Sequence, residues 1–277
     1  MRAISTIIIP AHNEAGYIGD CLRALLAQTP EASPMQVLVA ANACSDDTVA
    51  LCQAMVEEFT ARGDELRVLD LPQPGNPAAL NRAEPGREPA ALIYLDADVP
   101  CETDMMAQLR AALASEAPLY ATGKLTIAPA QSAITRAYGR LWQELPFFKG
   151  GAVGAGLFAV NAAGRARWDT FPDIISDDSF ARLNFTPAER IEVPVRFHWP
   201  MIEGFAGLVK VRRRQDAGVT EVATLYPQLT KNDHTGKLGL MGALRLALCH
   251  PWAFMVYLSV HLAVRTKRPS AEWVRGR

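Results

Sequence analysis

The chain has 277 residues, of which 49% are hydrophobic and 21% are charged, and its formal net charge is -1. These values are typical of one large or two small globular domains and exclude a disordered chain, while the near-zero charge gives no indication of a general nucleic-acid-binding surface. The five cysteines form no CxxC pair. We therefore predict reduced thiols in a cytoplasmic protein, without a disulfide framework or a structural zinc site.

The first 115 residues alternate short apolar runs with helical patterns, which predicts βαβ units and a parallel sheet. The predicted strands are 4–9, 37–40, 66–71 and 90–95. The predicted helices are 15–27, 46–59 and 105–113. The first apolar run ends at Pro10 and is too short for the core of a signal peptide, so we expect no export by that route.

From residue 116 to about 215 the pattern is mixed, with glycine-rich turns and shorter elements. Here we predict strands over 155–160 and 191–197 and a helical turn or two over 178–184. The basic run 210–214 is typical of a solvated helix face, although the bidentate fork of arginine also suits a phosphate.

The segment 240–264 is strongly apolar, but Arg245, His250 and Pro251 interrupt it, so it is a poor membrane span. The residues that follow are mostly basic, namely Arg265, Lys267, Arg268, Arg275 and Arg277 against Glu272. An apolar helix with a basic flank can lie on an anionic lipid surface. A buried helix that closes the core, followed by a solvated tail, is the alternative. Both stay open, and we slightly favour the lipid surface.

Two carboxylates, Asp96 and Asp98, directly follow the predicted strand 90–95. This position is the carboxyl edge, where open α/β sheets bind ligands. Alternate residues face the same side, so the two side chains can converge on one ion. Mg²⁺ and Mn²⁺ favour carboxylates combined with substrate phosphates, whereas aspartates at strand ends are also common without a metal. The pattern therefore indicates a candidate site for a divalent ion.

Polar loops also follow the first two predicted strands. The loop 10–14 passes from strand to helix and would direct free N–H groups towards a pocket, although Asn13 as a helix N-cap is a sufficient structural explanation. In the second loop, Ser45 or Asp46 can cap the next helix. Asn42 is not explained in this way, and its amide can both donate and accept, as recognition of a base edge requires.

Two acids, Asp177 and Asp178, stand at the predicted start of a helix. The helix dipole favours acids there, with Ser176 as the N-cap, which is a structural explanation. The same dipole would lower the pKa of a general base at this position and keep it ionised at neutral pH. The two roles are compatible.

In their order along the chain, these motifs resemble those of family 2 glycosyltransferases with the GT-A fold. The matching segments are Pro-Ala-His-Asn-Glu (10–14), Asn-Ala-Cys-Ser-Asp-Asp-Thr (42–48), Ala-Ala-Leu-Asn (78–81), Asp-Ala-Asp (96–98), Gly-Ala-Gly-Leu-Phe (154–158) and Ile-Ser-Asp-Asp-Ser-Phe (175–180). The resemblance spans about residues 4 to 215. It implies an α/β, Rossmann-like fold with a mixed, mainly parallel sheet flanked by helices. The C-terminal apolar helical segment is predicted from its own pattern and lies outside the resemblance.

The resemblance also implies a domain organisation. A glycosyltransferase domain would occupy 1–215, with a nucleotide-sugar half over 1–115 and an acceptor half over 116–215. The segment 216–277 lies outside the resemblance, and its apolar pattern predicts a C-terminal helical segment for which association with a membrane stays one of the two alternatives above.

Roles for individual residues follow from the same resemblance. Contacts with the nucleotide sugar are implied for Pro10, His12, Glu14, Asn42, Asn81, Asp96, Arg212 and Arg214. Asp98 and Asp96 would hold Mg²⁺ or Mn²⁺ through a DXD motif, and Gly154 and Gly156 would border the acceptor. The order of the motifs favours Asp178 as the catalytic base, with Asp177 beside it. Which arginine of the run 210–214 would meet the diphosphate stays open.

Two positions depart from the pattern of the family. The acidic residue usual after the second strand is replaced by Ala41 or Asn42, which leaves the base, uracil or guanine, open. A lysine common before the Ala-Leu-Asn segment is Asn76, which removes one phosphate contact. The Gln-x-x-Arg-Trp signature of processive polysaccharide synthases does not occur in the sequence, so we expect the transfer of single sugars.

The implied function is the transfer of one sugar from a nucleotide-diphosphate donor to a hydroxyl of a glycan or lipid-linked acceptor, with inversion at the anomeric carbon, in cell-envelope or exopolysaccharide synthesis. The expected location is cytoplasmic, with peripheral contact to the anionic inner face of the cell membrane. Two alternatives remain. A nucleotidyltransferase would share the α/β frame, but no glycine-rich basic loop follows the first strand. A non-catalytic nucleotide-binding or scaffold subunit is best supported by Asn42 and Asn76.

Overall fold

The computed structural model of the chain describes residues 4–84 and 91–266. The strands in these ranges are β1 (Ser5–Ala11), β2 (Met35–Asn42), β3 (Glu65–Leu71), β4 (Ala91–Leu95), β5 (Tyr120–Ile127), β6 (Leu157–Val160) and β7 (Arg190–Trp199). The α-helices are α1 (Ile18–Leu26), α2 (Thr48–Ala54), α3 (Val56–Arg62), α4 (Asn76–Ala83), α5 (Met105–Ala112), α6 (Ala133–Trp142), α7 (Pro146–Lys149), α8 (Ala162–Arg165), α9 (Asp177–Leu183), α10 (Gly204–Leu225), α11 (Leu240–Cys249) and α12 (Pro251–Arg265). Short 3-10 helices span Pro30–Ala32, Pro187–Glu189 and Pro227–Asn232.

The seven strands form one sheet in the order β3-β2-β1-β4-β6-β5-β7. Strand β1 pairs in parallel with β2 and β4, and β2 pairs in parallel with β3. Strand β6 is antiparallel to both β4 and β5. The predicted fold class, a mixed and mainly parallel α/β sheet flanked by helices, is therefore confirmed.

The apolar core explains why the first half of the sheet forms where it does. Every residue of β1 and β4 is buried, as expected for central strands of a parallel sheet that is covered on both faces. Helix α1 buries Ile18, Leu22 and Leu25 on one face. Burial of each such side chain stabilises the fold by about 1.5–3 kcal/mol. The core thus holds the carboxyl ends of the central strands in place.

Two predicted helices differ from those observed. Helix α1 begins at Ile18 instead of residue 15, because Glu14 ends the preceding loop in a turn in which its carbonyl accepts hydrogen bonds from the N–H groups of Tyr17 and Ile18. The predicted helix 46–59 is two helices, α2 and α3, which meet at Met55. Neither β5 nor α6 was predicted, and α10 is longer than the basic run that indicated it.

The chain divides into two compact units that are discontinuous in sequence. The first comprises residues 1–126, 154–173 and 177–199, and the second comprises 127–153, 174–176 and 200–277. The first unit contains the sheet with α1 to α5, α8 and α9, and the second contains α6, α7 and α10 to α12. The predicted domain boundary after residue 215 lies inside α10, and the assignment of nucleotide-sugar and acceptor halves stays a prediction.

The second unit is built from helices joined by aromatic and arginine side chains. The rings of Tyr138 on α6 and Tyr257 on α12 stack with centroids 5.4 Å apart. Arg213 on α10 donates hydrogen bonds to the carbonyls of Ala263 and Val264, which lie in the last turn of α12. The last four carbonyl groups of an α-helix accept no backbone hydrogen bond from the helix itself. Arg213 supplies donors to two of these carbonyls and so fastens α12 to α10.

The apolar segment 240–264 forms α11 and α12, which are separated at His250. Pro251 is the first residue of α12, a position where the missing N–H of proline costs nothing. Within residues 4–84 and 91–266, no helix has the length and hydropathy needed to cross a membrane. Most of the basic tail, Lys267, Arg268, Arg275 and Arg277 with Glu272, lies outside the described residues.

Candidate functional site

The strand ends of the first unit bring several predicted site residues to one edge of the sheet. Strands β1, β2 and β4 are parallel and end at this edge, and the antiparallel β6 begins there. The backbone N–H of Asp96 donates to the carbonyl of Gly156 across 2.8 Å. The aspartates that follow β4 therefore lie directly beside the glycine motif that precedes β6.

The Asp96–Asp98 segment is a tight turn at the end of β4. The N–H of Val99 donates to the carbonyl of Asp96 across 3.1 Å. Ala97 and Val99 are buried, Asp98 is only 7% exposed, and Asp96 is half-buried. The apolar residues thus anchor the turn, and the two carboxylates are held in a partly desolvated position.

Gly156 is required by this close approach. Its φ of +77° is in the left-handed region, and a Cβ atom there would lie 2.9 Å from Cγ2 of Val99, 3.0 Å from Cδ1 of Trp199 and 3.3 Å from Oδ2 of Asp96. Gly154 has a φ of +71°, and a side chain there would collide with the hydroxyl of Tyr120. The structure explains both glycines by backbone geometry, while their contact with an acceptor stays a prediction.

The acids of α9 interact electrostatically with the end of β4. Burial, followed by the charges of Asp178 and then Asp96, raises the pKa of Asp177 from 3.8 to about 7. Helix α9 begins at Asp177, and the N–H of Ser179 donates to Oδ1 of Asp178 across 2.6 Å. For Asp177, burial and repulsion between carboxylates outweigh the stabilisation expected at a helix start. Three carboxylates, those of Asp96, Asp177 and Asp178, therefore concentrate negative charge at this edge.

This donor set fits a divalent cation that is shared with a substrate. Within the described ranges, no group of three His, Cys, Asp or Glu side chains is arranged to hold a metal ion. Mg²⁺ sites built with substrate phosphates need only one or two carboxylates, because phosphate oxygens and water complete the shell. Asp96 and Asp98 supply two, and the pKa of Asp177 is raised first by burial and then by repulsion from Asp178 and Asp96, of which a cation would relieve the repulsion. The residues fit a shared metal ion and do not form a protein-only cage.

A buried amide connects the loops after β1, β2 and β3. The side chain of Asn42 is 1% exposed, and its Nδ2 donates to the carbonyl of Ala11 across 3.0 Å and to that of Ala40 across 3.4 Å. Its Oδ1 accepts from the N–H of Gly75 across 3.1 Å. The amide predicted to meet a nucleobase is thus engaged with the backbone, and a contact with the base stays a prediction.

His12 is held by the backbone of Asn42. Its Nδ1 lies 2.5 Å from the backbone carbonyl of Asn42. A carbonyl can only accept, so Nδ1 carries the proton and Nε2 is the acceptor in the neutral ring. This contact orients the imidazole of His12 at the end of β1.

Asn13 is not a helix N-cap, which corrects the structural explanation given for it from the sequence. Its backbone is left-handed, with a φ of 55°, and α1 begins five residues later with Tyr17 as the N-cap. Its Oδ1 instead accepts from the N–H of Ser45 across 2.6 Å and from that of Asp46 across 3.3 Å. The side chain therefore fastens the loop after β1 to the loop after β2.

Two more contacts fasten these loops together. The hydroxyl of Thr48 accepts from the N–H of Glu14 across 2.7 Å, and Oδ2 of Asp46 accepts from the N–H of Ala15 across 3.2 Å. Oδ1 of Asp46 also accepts from the N–H of Thr48, the first residue of α2. Burial alone would raise the pKa of Asp46, but these hydrogen bonds lower it. The N-cap residue of this helix is Asp47, so the prediction of Ser45 or Asp46 as the cap is wrong.

Asn81 lies on α4 and is paired with the backbone. Its Nδ2 donates to the carbonyl of Phe171 across 2.9 Å, and its Oδ1 accepts from the N–H of the same residue across 2.8 Å. Pro10 is buried within β1, in register with Ala40, and Glu14 is half-buried in the loop that follows. Nucleotide contacts for these residues stay predictions.

Arg212 and Arg214 belong to the second unit, on α10. Nε of Arg212 donates to Oδ1 of Asp216 across 2.8 Å. Burial alone would lower the pKa of Arg212, but the neighbouring Tyr138 and Asp216 raise it. Arg212 therefore has an ion-pair partner on its own helix. Arg214 is half-buried, and the diphosphate contact stays a prediction for both.

Sequence reasoning missed two residues that shape the site. Gly75, with a φ of +126°, donates its N–H to Asn42, and the Pro-Gly-Asn-Pro run over 74–77 is a turn signal that could have indicated it. Tyr120 lies on β5, and its buried hydroxyl packs against Gly154. The sequence of β5 did not lead to a strand prediction, because the partner strand β6, with which it pairs, is distant along the chain.

Residues 6–167 match a family model described as glycosyl transferase family 2. A stretch of 94 residues is 35% identical to the glycosyltransferase AglE of Haloferax volcanii, and this match covers 34% of the chain and 30% of the length of AglE.

Two solved structures share the fold. S. aureus TarS 1–349 in complex with UDP-GlcNAc has a TM-score of 0.53 at 14% identity, covering 94% of this chain and 91% of that chain. Glucosyl-3-phosphoglycerate synthase from Mycobacterium tuberculosis, in complex with Mn²⁺, UDP-glucose and glycerol 3-phosphate, has a TM-score of 0.53 at 15% identity, covering 80% of each chain. At such identities the likeness is one of fold.

The buried contacts of Asn42 predict a loss of stability when its amide is removed. In Asn42→Ala, the N–H of Gly75 and the carbonyl of Ala11 lose a buried partner, and each such group costs about 1–3 kcal/mol. We expect the urea midpoint of unfolding to fall by a corresponding amount. Gln53→Ala removes an amide from an exposed position on α2 and should leave the midpoint unchanged. Equal midpoints for Asn42→Ala and the wild type would refute the structural role.

The raised pKa of Asp177 predicts how stability depends on pH in metal-free buffer. A carboxyl group whose pKa is higher in the folded than in the unfolded chain favours folding at low pH, and this contribution is lost as the pH rises through the folded value. The part of the unfolding free energy due to Asp177 should therefore decrease between about pH 4 and pH 7.

Asp177→Asn removes the titrating group, so its stability should change less over this window than that of the wild type. The exposed Asp173→Asn is the matched control and should keep the wild-type profile. Urea unfolding at a series of pH values in the presence of a chelator measures both. Parallel profiles for Asp177→Asn and the wild type would mean that Asp177 does not carry the pH dependence.

Proposed function

Because this chain belongs to glycosyl transferase family 2, we propose that it transfers a single sugar from a nucleoside diphosphate donor to an acceptor hydroxyl. The observation that carries the proposal is the cluster of carboxylates at the end of β4, where Asp96 and Asp178 both act electrostatically on Asp177. Parallel strands end at this edge, and α/β folds bind their ligands at such positions.

A uridine diphosphate sugar is the donor to test first. S. aureus TarS has been solved with UDP-GlcNAc, and the Mycobacterium tuberculosis synthase with Mn²⁺ and UDP-glucose, which supports this class of donor for a chain of the same fold. The loops after β1 and β2 supply the place for the nucleotide, because their mutual hydrogen bonds hold backbone groups and His12 at the strand ends. A guanosine diphosphate donor is the other outcome of the test.

Asp178 acts in this proposal as the general base. It takes the proton of the acceptor hydroxyl while the acceptor oxygen attacks the anomeric carbon and the nucleoside diphosphate leaves on the opposite side. The C–O bond to the diphosphate breaks as the new glycosidic bond forms, so the configuration inverts. Asp177 lies beside Asp178, and burial, followed by the charges of Asp178 and Asp96, raises the pKa of Asp177 to about 7.

Asp98 and Asp96 would hold a divalent ion together with the donor. When bound there, Mg²⁺ or Mn²⁺ would neutralise charge on the departing diphosphate. Gly156 keeps the backbone beside Asp96 without a side chain, which leaves space on that side of the carboxylate. Gly154 and Gly156 are proposed to border the acceptor, and a basic side chain of α10, Arg214 or Arg212, is proposed to contact the diphosphate.

We further propose a glycan or lipid-linked acceptor in cell-envelope or exopolysaccharide synthesis, with the protein associated peripherally with the anionic inner face of the membrane. The support is that α11 and α12 expose large apolar side chains, among them Leu248 and Trp252. A helix on the surface of a globular protein normally presents polar residues to solvent.

The base assigned to Asp178 predicts a selective loss of turnover. In Asp178→Asn we expect the rate of transfer to fall about 10²- to 10⁴-fold, the usual contribution of a general base. Binding of the donor, measured by calorimetry, should change less than about threefold, because the amide has the size of the carboxylate. Asp169→Asn, at an exposed position, should keep the wild-type rate. Near-normal turnover of Asp178→Asn would contradict the assignment.

The metal assignment predicts dependence on a divalent ion. Release of nucleoside diphosphate from a panel of UDP- and GDP-sugars should require Mg²⁺ or Mn²⁺ and stop on addition of EDTA. Asp98→Asn should raise the Mn²⁺ concentration needed for half-maximal activity by about tenfold or more.

Two further results would identify the alternatives to this proposal, the first in an added assay with a nucleoside triphosphate and a sugar 1-phosphate and the second in the panel of nucleotide sugars. Release of pyrophosphate from a nucleoside triphosphate and a sugar 1-phosphate would identify a nucleotidyltransferase. Donor binding without release of diphosphate at any metal concentration would identify a non-catalytic subunit.

A further inference from the structure

Helices α11 and α12 are apolar on two opposite sides. Leu246, Ala253, Val256 and Val260 are buried within the second unit. On the other side, the exposed fractions are 75% for Leu248, 62% for Trp252 and 61% for Met255. The remaining exposed apolar residues of the two helices are Leu240, Met241, Leu244, Leu258 and Leu262. Exposure of so many large side chains on one face marks an interaction surface.

A cavity opens beside this face, between α6 and the junction of α11 with α12. Its volume is about 490 Å³, within the range of about 300–1,000 Å³ of small-molecule sites. Two arginines of α6, Arg136 and Arg140, line one side, and residues 249–253 line the other. The cavity therefore joins basic groups to an exposed apolar surface, which is the combination that an amphiphile with an anionic headgroup requires.

The guanidinium groups make the cavity basic, and the carboxylate of Glu203, which interacts electrostatically with Arg136, balances only part of this charge. Arg136 donates to the carbonyls of Ala130 and Gln131 across 3.1 and 2.5 Å, which positions it without neutralising it. Among residues 4–84 and 91–266, none accepts a hydrogen bond from Arg140. The nearby carboxylate of Glu144 is paired with Lys149 across 2.6 Å. Since the whole chain has a formal charge of -1, this positive charge is a local feature.

We propose that this cavity binds the phosphate headgroup of an anionic lipid while Leu248, Trp252 and Met255 enter the interfacial region of the bilayer. This proposal rests on the proposed peripheral membrane association, and it adds which chemical group of the lipid is recognised. Arginine suits phosphate because its planar fork can donate two parallel hydrogen bonds. Tryptophan is enriched where apolar and aqueous phases meet, and Trp252 lines the cavity as well as the exposed face.

The charges favour a lipid over a second copy of the chain. A two-fold symmetric dimer would place the same patch on both partners, so that the arginines of both copies, Arg140 and Arg245 among them, would be brought into one interface. An anionic bilayer instead attracts basic residues beside an inserted apolar surface. Both arginines are exposed. The arrangement is thus complementary to anionic headgroups and self-repelling towards its own copy.

Sedimentation of the full chain with vesicles tests the headgroup site. Vesicles of phosphatidylcholine are compared with equimolar phosphatidylcholine and phosphatidylglycerol. The wild type should bind the anionic vesicles more tightly. In Arg136→Gln/Arg140→Gln we expect a loss of about 10- to 30-fold in affinity for them. Arg23→Gln/Arg67→Gln removes the same charge from exposed positions of the first unit and should change the affinity less than about twofold.

Alkylation of Cys249 gives a readout at the site itself. This residue lines the cavity and is exposed, whereas Cys21, Cys52 and Cys101 are buried and Cys44 is half-buried. Anionic vesicles should slow its reaction with a maleimide in the wild type, measured by mass spectrometry of its peptide. Phosphatidylcholine vesicles and inorganic phosphate should not slow it. The protection should be lost in Arg136→Gln/Arg140→Gln.

The possible results separate this site from the functions it rests on. If both double variants lose the same affinity for anionic vesicles, the headgroup site is refuted, whereas membrane association itself is not. If the wild type binds neither vesicle, both are refuted. A dimer in light scattering without lipid, abolished by Leu248→Ser/Met255→Ser, would assign the face to a second copy and refute the site. Glycosyl transfer is tested separately, by measuring the metal-dependent release of diphosphate from the donor with the variant Arg136→Gln/Arg140→Gln. This activity should equal that of the wild type, because neither arginine belongs to the proposed active site.

Discussion

The candidate site depends on one buried amide. Asn42 joins the carbonyl of Ala11 at the end of β1, its own strand β2, and the N–H of Gly75 after β3. A side chain that both donates and accepts is needed here, since the buried backbone groups include carbonyls and an N–H. Because a buried polar group without a partner is costly, these bonds hold three loops in one arrangement. The loops at these strand ends are thereby preorganised by the core rather than by a ligand.

The second constraint is the concentration of negative charge. Asp96 and Asp98 follow the buried β4, and Asp177 and Asp178 begin α9, so carboxylates from separate segments meet at one strand end. Burial and then repulsion from Asp178 and Asp96 raise the pKa of Asp177, so the ionised form of this carboxylate opposes folding. Such a cluster stores unfavourable electrostatic energy that a bound cation or a proton lowers. The preorganised loops and the acid cluster thus have opposite effects on stability, and the proposed function uses both.

Much of this site could be predicted from the sequence, because its signals are local. The alternation of apolar runs and helices indicated the parallel half of the sheet, and two acids after a buried strand indicated a ligand edge; the resemblance to family 2 glycosyltransferases is confirmed by the match over 6–167. The role of Asn13 could not be predicted, because its partners, Ser45 and Asp46, lie more than thirty positions away. Strand β5 was missed for the same reason.

The C-terminal helices show why an apolar pattern alone cannot determine where a helix lies. The sequence allowed either a buried helix or one that lies on lipid, and each alternative requires only one apolar side. In α12 the buried side is Ala253, Val256 and Val260, while Trp252 and Met255 are exposed on the other. Burial thus explains one side and leaves the other without a structural reason. An exposed apolar side persists at a cost in solubility, so its retention beside Arg136 and Arg140 favours an interaction surface.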